Sequence, residues 1–222
     1  MSVFMICERA LGLLRGKRLI LSAQEQSLLE TLNYVGLTAC NAQEEAITCA
    51  RHFAFVRDRL LQLHPWVFAR KTVALATYTT PVSGWGYAYS LPTDCLTVLG
   101  LIETHGTLSH WEQMGRIVLC NHPKIQVRYT ARIEDTTLWT PSFTSVFCAS
   151  LASEMGAAIT GEMENAIALQ QQAQLLLSLE QRSQLALDEA HRNGDIRMAG
   201  ELPLRRATWL DYSGSPSRFE QG

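Results

Sequence analysis

The sequence predicts an α+β fold: an antiparallel helical bundle interrupted by a small inserted antiparallel β domain and followed by an extended C-terminal tail. Two changes of hydrophobic period predict it. Apolar residues recur at helical spacing as far as Leu61, alternate one by one with polar residues around Val127, and return to helical spacing from Phe143. Proline marks both changes, at Pro65 where a helix must stop and at Pro141 where one can start. The expected boundaries are an N-terminal arm at 1–21, the first bundle part at 22–66, the β domain at 67–140, the second bundle part at 141–194 and the tail at 195–222.

In the arm, Phe4, Ile6, Leu11 and Leu14 form an apolar stripe among Arg9, Arg15, Lys17 and Arg18, which suggests a basic amphipathic segment packed against a neighbour. Ser22 and Glu25 have capping-box spacing, and Leu28, Leu29 and Leu32 follow on one face, predicting a helix over 23–35 that ends near Gly36. Asn41 and Glu44 repeat that logic. Ile47, Ala50, Phe53, Ala54, Leu60 and Leu61 then predict a second helix over 42–63. Beyond Trp66, strands are expected at 72–79, 87–91, 96–103, 108–113 and 116–120. The clearest is 125–133, where Ile125, Val127, Tyr129, Ala131 and Ile133 alternate with polar residues. Thr140 and Pro141 open a third helix, whose stripe runs Phe143, Phe147, Leu151, Met155 and Ile159 to Gly161. A long run rich in Ala, Leu, Gln and Glu from Glu162 to His191 predicts a fourth, closed by Asn193 and Gly194.

Charge narrows the function. Nineteen basic against 21 acidic residues give a net charge of -2, which does not favour sequence-independent binding to phosphate backbones. The apolar opening is broken by Glu8, Arg9, Arg15, Lys17 and Arg18, so neither a membrane span nor a secretory signal is expected. Assembly in the cytosol is the expectation. Cys7, Cys40, Cys49, Cys95, Cys120 and Cys148 are scattered singly, without zinc or redox spacing, and free thiols are expected.

Several patterns imitate chemistry. Gly12, Gly16, Lys17 and Arg18 approach a phosphate-binding loop, but one residue is missing between the glycines and Arg18 stands where a magnesium-binding hydroxyl belongs. Cys120, His122, His105 and His110 could bring thiolate and imidazole to one metal, at unspecific spacing. The carboxylate pairs Glu44/Glu45, Glu134/Asp135, Glu162/Glu164 and Asp188/Glu189 mostly sit at predicted helix starts, where they favour the dipole. Cys49 and Cys148 fall inside predicted helices, an inert setting for a nucleophile. No catalytic residue, metal or cofactor is expected.

The tail, by contrast, carries Arg205, Arg206, Trp209, Tyr212 and Phe219, residue types that dominate binding hot spots. Trp85, Tyr87, Tyr89 and Trp111 on short strands are a second candidate contact set, their alternative use being the core of the sheet.

Three segments resemble the head-to-tail adaptor, or tail tubular protein A, family of short-tailed bacteriophages. The first is His64, Pro65, Trp66, Val67, Phe68, Ala69, Arg70 and Lys71, with Leu75 and Ala76 following. The second runs from Gly84, Trp85, Gly86, Tyr87 and Tyr89 to Leu91, Pro92, Asp94, Cys95 and Leu96. The third runs from Val127, Arg128, Tyr129 and Thr130 through Asp135, Trp139, Pro141 and Phe143 to Leu151, Thr160 and Gly161.

The resemblance, covering roughly 22–194, implies a virion structural protein at the head–tail junction, without enzymatic activity. It implies a homo-oligomeric, dodecameric ring that binds the portal protein on one side and a tubular-protein-B-like tail nozzle on the other. Double-stranded DNA would pass through it without sequence specificity, and no membrane is involved. Portal docking would then fall to Arg205, Arg206, Trp209, Tyr212 and Phe219, and nozzle contact to Trp85, Tyr87, Tyr89 and Trp111. Two alternatives stand beside it: a head-completion connector of a long-tailed phage, and a hydrolase of cell-envelope polymers, which would need two carboxylates, or a thiol and an imidazole, in one cleft.

Overall fold

Ser2 opens the chain's first helix by accepting a hydrogen bond from the Met5 amide, and α1 runs Val3–Leu13. The computed structural model describes residues 1–14, 18–78, 84–103, 106–161 and 163–192. The Glu30 carboxylate accepts from the amides of Val3 at 3.0 Å and Phe4 at 3.1 Å, satisfying donors that a helix start leaves free. The stripe in α1 is the one expected, but it does not await a neighbour. Ile6, Leu11 and Leu14 are buried in the chain's own core, and Phe4 packs against it.

The helix expected over 23–35 is two helices, α2 (Ala23–Glu30) and α3 (Tyr34–Ala39). Ser22 and Glu25 form the expected capping box. The break falls at Leu32, whose φ of 54° leaves the right-handed helix, and Asn33 restarts it by accepting from the Gly36 amide at 2.9 Å. α4 (Glu44–Leu63) matches the second helix, with Phe53, Val56, Leu60 and Leu61 buried; Ala54, placed in the stripe by sequence, faces out.

After one 3-10 turn at Val67–Ala69, the described residues form seven strands: β1 (Arg70–Ala74), β2 (Tyr87–Ser90), β3 (Cys95–Glu103), β4 (Gly106–Leu108), β5 (Glu112–Met114), β6 (Ile117–Cys120) and β7 (Gln126–Ala131). They form two antiparallel sheets, ordered β1-β7-β3-β4 and β2-β6-β5. The strand expected at 108–113 divides between them, because β4 ends at Leu108 in the first sheet and β5 begins at Glu112 in the second. Gly115, at φ 59°, turns β5 into β6.

The chain leaving β1 changes partner. The Leu75 amide still donates to Ile125 beside β7, whereas Ala76 accepts from Ser90 and the Tyr78 amide donates to Ala88, both on β2. One extended segment therefore edges both sheets.

α5 (Pro141–Thr160) starts as predicted, with Thr140 accepting from the Phe143 amide and proline in the first turn. It ends at Gly161, whose φ of 69° is the left-handed cap that glycine adopts without a Cβ clash. α6 runs Met163–Arg192. Its predicted stop at Asn193 and Gly194, and the tail at 195–222, lie outside the described residues. Residues Met1–Ser178 cluster as one compact unit and Leu179–Gly222 as another.

The architecture is thus an α-helical bundle, drawn from both ends of the chain, flanking a small antiparallel β part. Within Met1–Ser178 the two share one core. Val127, Tyr129 and Ala131 turn inward from β7 and Gln126 and Arg128 face solvent, as the sequence alternation predicts, but Thr130, expected outward, is buried as well. Where helices meet sheet, Phe53, Trp66, Phe68, Trp139, Phe143 and Phe147 form an aromatic cluster. The Phe143 ring lies 4.9 Å from Trp66, 4.8 Å from Trp139 and 5.1 Å from Phe68, all edge to face.

Cys7 and Cys49 are joined by a disulfide between α1 and α4, contrary to the expectation of six free thiols. Helix packing brings together sulfurs that are 42 residues apart, a proximity no local spacing announces. Cys40, Cys95, Cys120 and Cys148 are free.

Arg57, buried on α4, places Nε 2.9 Å from Asp58 Oδ1, and Arg132 beyond β7 places its own Nε 2.9 Å from Asp58 Oδ2. Asp58 thus bridges helix and sheet. Arg57→Ala removes the buried guanidinium that pairs with Asp58 on the same helix, leaving the Asp58–Arg132 bridge in place, and is expected to cost about 2–3 kcal/mol in urea unfolding. An unchanged midpoint would show that Arg132 alone suffices.

Candidate functional site

The three sequence segments singled out above are far apart along the chain but converge on one side chain, Asp94, in the turn before β3. Its carboxylate accepts from Lys71 Nζ at 2.8 Å, on β1, and from the Tyr129 hydroxyl at 3.0 Å, on β7. Its backbone carbonyl accepts from the Arg132 amide at 2.7 Å. Nearby, the Pro92 carbonyl accepts from the Cys95 amide and the Arg116 guanidinium. Strand pairing brings Lys71 opposite Tyr129, so β1 and β7 offer ammonium and phenol to one carboxylate.

Burial by itself pushes the Asp94 carboxyl up, but the hydrogen bonds from Lys71 and Tyr129 and the ammonium charge outweigh it. The group therefore titrates below its ordinary range. Burial, followed by the same carboxylate, pushes the Tyr129 phenol up to about 12. Because the folded state favours ionised Asp94, its stabilisation is present above the ordinary carboxylate range and is lost as pH falls through the lowered value. Asp94→Asn is expected to flatten the decline in stability below about pH 4, measured by urea unfolding across pH. A wild-type acid limb in the variant would overturn this.

The second aspect of the surface is a cleft of about 450 Å³ between α4, α5 and α6. Arg59 Nη1 meets Glu154 Oε1 at 2.5 Å across it, and the same guanidinium lies 5.5 Å from the centre of the exposed Phe55 ring. Leu63, Met163 and Ile167 line it and are exposed. Sequence reading missed this cleft. Its signal is the i, i+4, i+8 series Phe55, Arg59 and Leu63, which sits beside the core stripe of α4.

The aromatic residues expected at the nozzle separate by environment. Tyr89 is buried at 1% exposure and its hydroxyl donates to the His122 carbonyl at 2.6 Å, so it is a core residue, not a contact residue. Tyr87 is exposed and stacks on Tyr89; Trp85 is half-buried against His110, with ring centres 4.9 Å apart; Trp111 is half-buried against the core. Arg205, Arg206, Trp209, Tyr212 and Phe219 lie outside the described residues.

Of the metal-like set, His105 lies outside the described residues and the other three are otherwise engaged. The Cys120 thiol donates to the His122 carbonyl, the His122 imidazole is 2.6 Å from Glu103, and His110 stacks on Trp85. Among the described residues, no three His, Cys, Asp or Glu side chains are grouped to hold a metal ion. Gly12 lies within α1, whereas Gly16 and Lys17 lie outside the described residues. Glu44 and Glu45 occupy the first turn of α4, and Asp135 accepts from the Thr137 amide and hydroxyl. Among the described residues, no helix is long and apolar enough to cross a membrane.

No protein-family model matches the chain, and no curated protein matches it. The reading of its function therefore rests on its own residues and on the resemblance in the three segments that meet at Asp94.

Proposed function

We propose that the protein is a head-to-tail adaptor: a ring-forming virion component that joins a portal protein to a tail nozzle and surrounds the path of the ejected DNA. The observation that carries this reading is the convergence of the three family-like segments. Lys71 from the first, Asp94 from the second and Tyr129 from the third share one carboxylate, and Trp66 and Phe143 pack ring against ring at the same helix–sheet junction.

The division of labour follows the architecture. The exposed Phe55, Leu63, Met163 and Ile167 around the α4/α5/α6 cleft suit contact with another chain in a closed ring. Tyr87, with the half-buried Trp85 and Trp111, remains the candidate nozzle contact, and Arg205, Arg206, Trp209, Tyr212 and Phe219 the candidate portal contacts. The action is mechanical: many modest contacts engaged together hold two assemblies in register, and no bond is made or broken.

Electron microscopy of the purified protein, alone and mixed with its cognate portal, tests the proposal through rotational symmetry and stacking. A closed twelvefold ring stacked on the portal is the expected result. A monomer indifferent to the portal at micromolar concentration would overturn it.

A further inference from the structure

We propose that the Cys7–Cys49 disulfide is a redox latch on α1: the oxidised chain holds the helix shut against α4 and α5, and the reduced chain lets it open locally. The latch is independent of the adaptor role.

The bond is closed to direct attack. Both sulfurs belong to residues with 0% exposure, enclosed on α1 by Ile6, Ala10 and Leu11, all equally buried. Thiol–disulfide exchange needs a thiolate to approach one sulfur directly, which the closed structure does not allow. Exchange therefore passes through a state in which α1 has lifted from its seat. Closing the bond is balanced by a low-molecular-weight disulfide as oxidant. One cysteine thiolate attacks it and releases a small thiolate. The second cysteine, losing its proton, displaces the other small thiolate from the mixed disulfide. The two leaving groups take up the two protons, and two electrons pass from protein to oxidant. A dithiol drives the reverse, becoming a disulfide; a phosphine instead attacks one sulfur and, with water, leaves as the phosphine oxide while both cysteines return to thiols.

α1 is held by its packing, by a few polar ties, among them Arg9 to the Ser145 hydroxyl on α5, and by the disulfide. It is a helix of eleven residues. Apart from packing, the polar ties at its N-terminal end are the Glu30 carboxylate on the Val3 and Phe4 amides and the Thr136 hydroxyl on the Met1 carbonyl. The disulfide is its covalent tie to α4, closing a span of 42 residues. With that bond present, α1 cannot leave without taking part of α4 with it, so local opening becomes a larger and rarer event.

A reporter sits beneath it. Cys148 on α5 is 1% exposed, and its thiol donates to the Ile6 carbonyl at 3.7 Å, so it faces α1 directly. Desolvation pushes that thiol up to about 11, which keeps it protonated and inert while α1 is closed. Opening α1 removes both the cover and the cause.

The test is hydrogen exchange of the full chain with and without a phosphine reductant, the redox state being read from intact mass. Cys148 alkylation is followed in wild type and in Cys7→Ala/Cys49→Ala. On reduction, α1 amides are expected to exchange about 100-fold faster while α5 and β7 change little, and the double variant should alkylate Cys148 correspondingly faster than oxidised wild type. Unchanged α1 protection after confirmed reduction would overturn the latch. So would an equal loss of protection throughout the chain, which would mark the bond as a global staple. Six titratable thiols in the untreated protein would overturn it as well. Should the reductant fail to open the native bond, the double variant supplies the same comparison: slow Cys148 alkylation there overturns the proposal, and fast alkylation supports it.

Discussion

Phe143→Ala is expected to lower stability by about 3–5 kcal/mol and the thermal midpoint by roughly 6–20 °C. The ring is fully buried and sits in the middle of the aromatic cluster, touching Trp66 before the β part, Trp139 after it and Phe147 on its own helix. Truncation removes the shared surface between the two halves of the bundle and leaves rigid neighbouring rings unable to collapse into the void. Phe143→Leu should recover part of the loss. A change below about 1 kcal/mol in Phe143→Ala would show that the surrounding rings repack, and that the junction is not held by this side chain.

Removing residues 195–222 is expected to abolish attachment to the portal while leaving the fold intact. The described members of the core all lie within Met1–Ser178, so the deletion takes none of them. It does remove Arg205, Arg206, Trp209, Tyr212 and Phe219, a set whose loss would take away the main anchors of an interface. Co-sedimentation with the portal, beside a thermal melt of the truncated chain, separates the two effects. Full stoichiometric binding by a folded, truncated protein would move the portal contacts elsewhere, the α4/α5/α6 cleft first. A truncated chain that neither folds nor binds would show instead that the segment belongs to the fold.

Much of the architecture can be read from one sequence because its signals are local. Val127, Tyr129 and Ala131 alternate with polar residues, and β7 follows; Phe143, Phe147, Leu151 and Met155 recur at helical spacing, and α5 follows. The misreadings share a cause. Leu32 gives no warning that it will adopt positive φ, because leucine is not a turn residue; only Asn33, three before Gly36, hints at a second cap. The stripe of α1 was visible, but a stripe specifies that something covers it and not what. Cys7 and Cys49 meet only because two helices pack, and Lys71, Asp94 and Tyr129 meet only because β1 and β7 pair beside a turn. The candidate site was the least readable part, being made almost wholly of such long-range meetings. Tyr89 illustrates the reverse: an aromatic on a short strand advertises binding and burial equally, and here the His122 carbonyl claims its hydroxyl.

The segment from Arg70 to Tyr78 edges one sheet and then the other, and this makes its length a shared setting. An inserted residue between Ala74 and Thr77 would have to be absorbed by one ladder or the other. The strand's alternation would then reverse either opposite Val127, or opposite Tyr89, which bridges Thr77. Chain in an exposed edge position ordinarily tolerates insertions and deletions. Here the tolerance is gone although Lys71, Thr72, Val73 and Ala74 all face solvent. Related sequences should therefore vary freely in which residues they place at 72–74, keep Lys71 for its bond to Asp94, and hardly vary at all in how many they have.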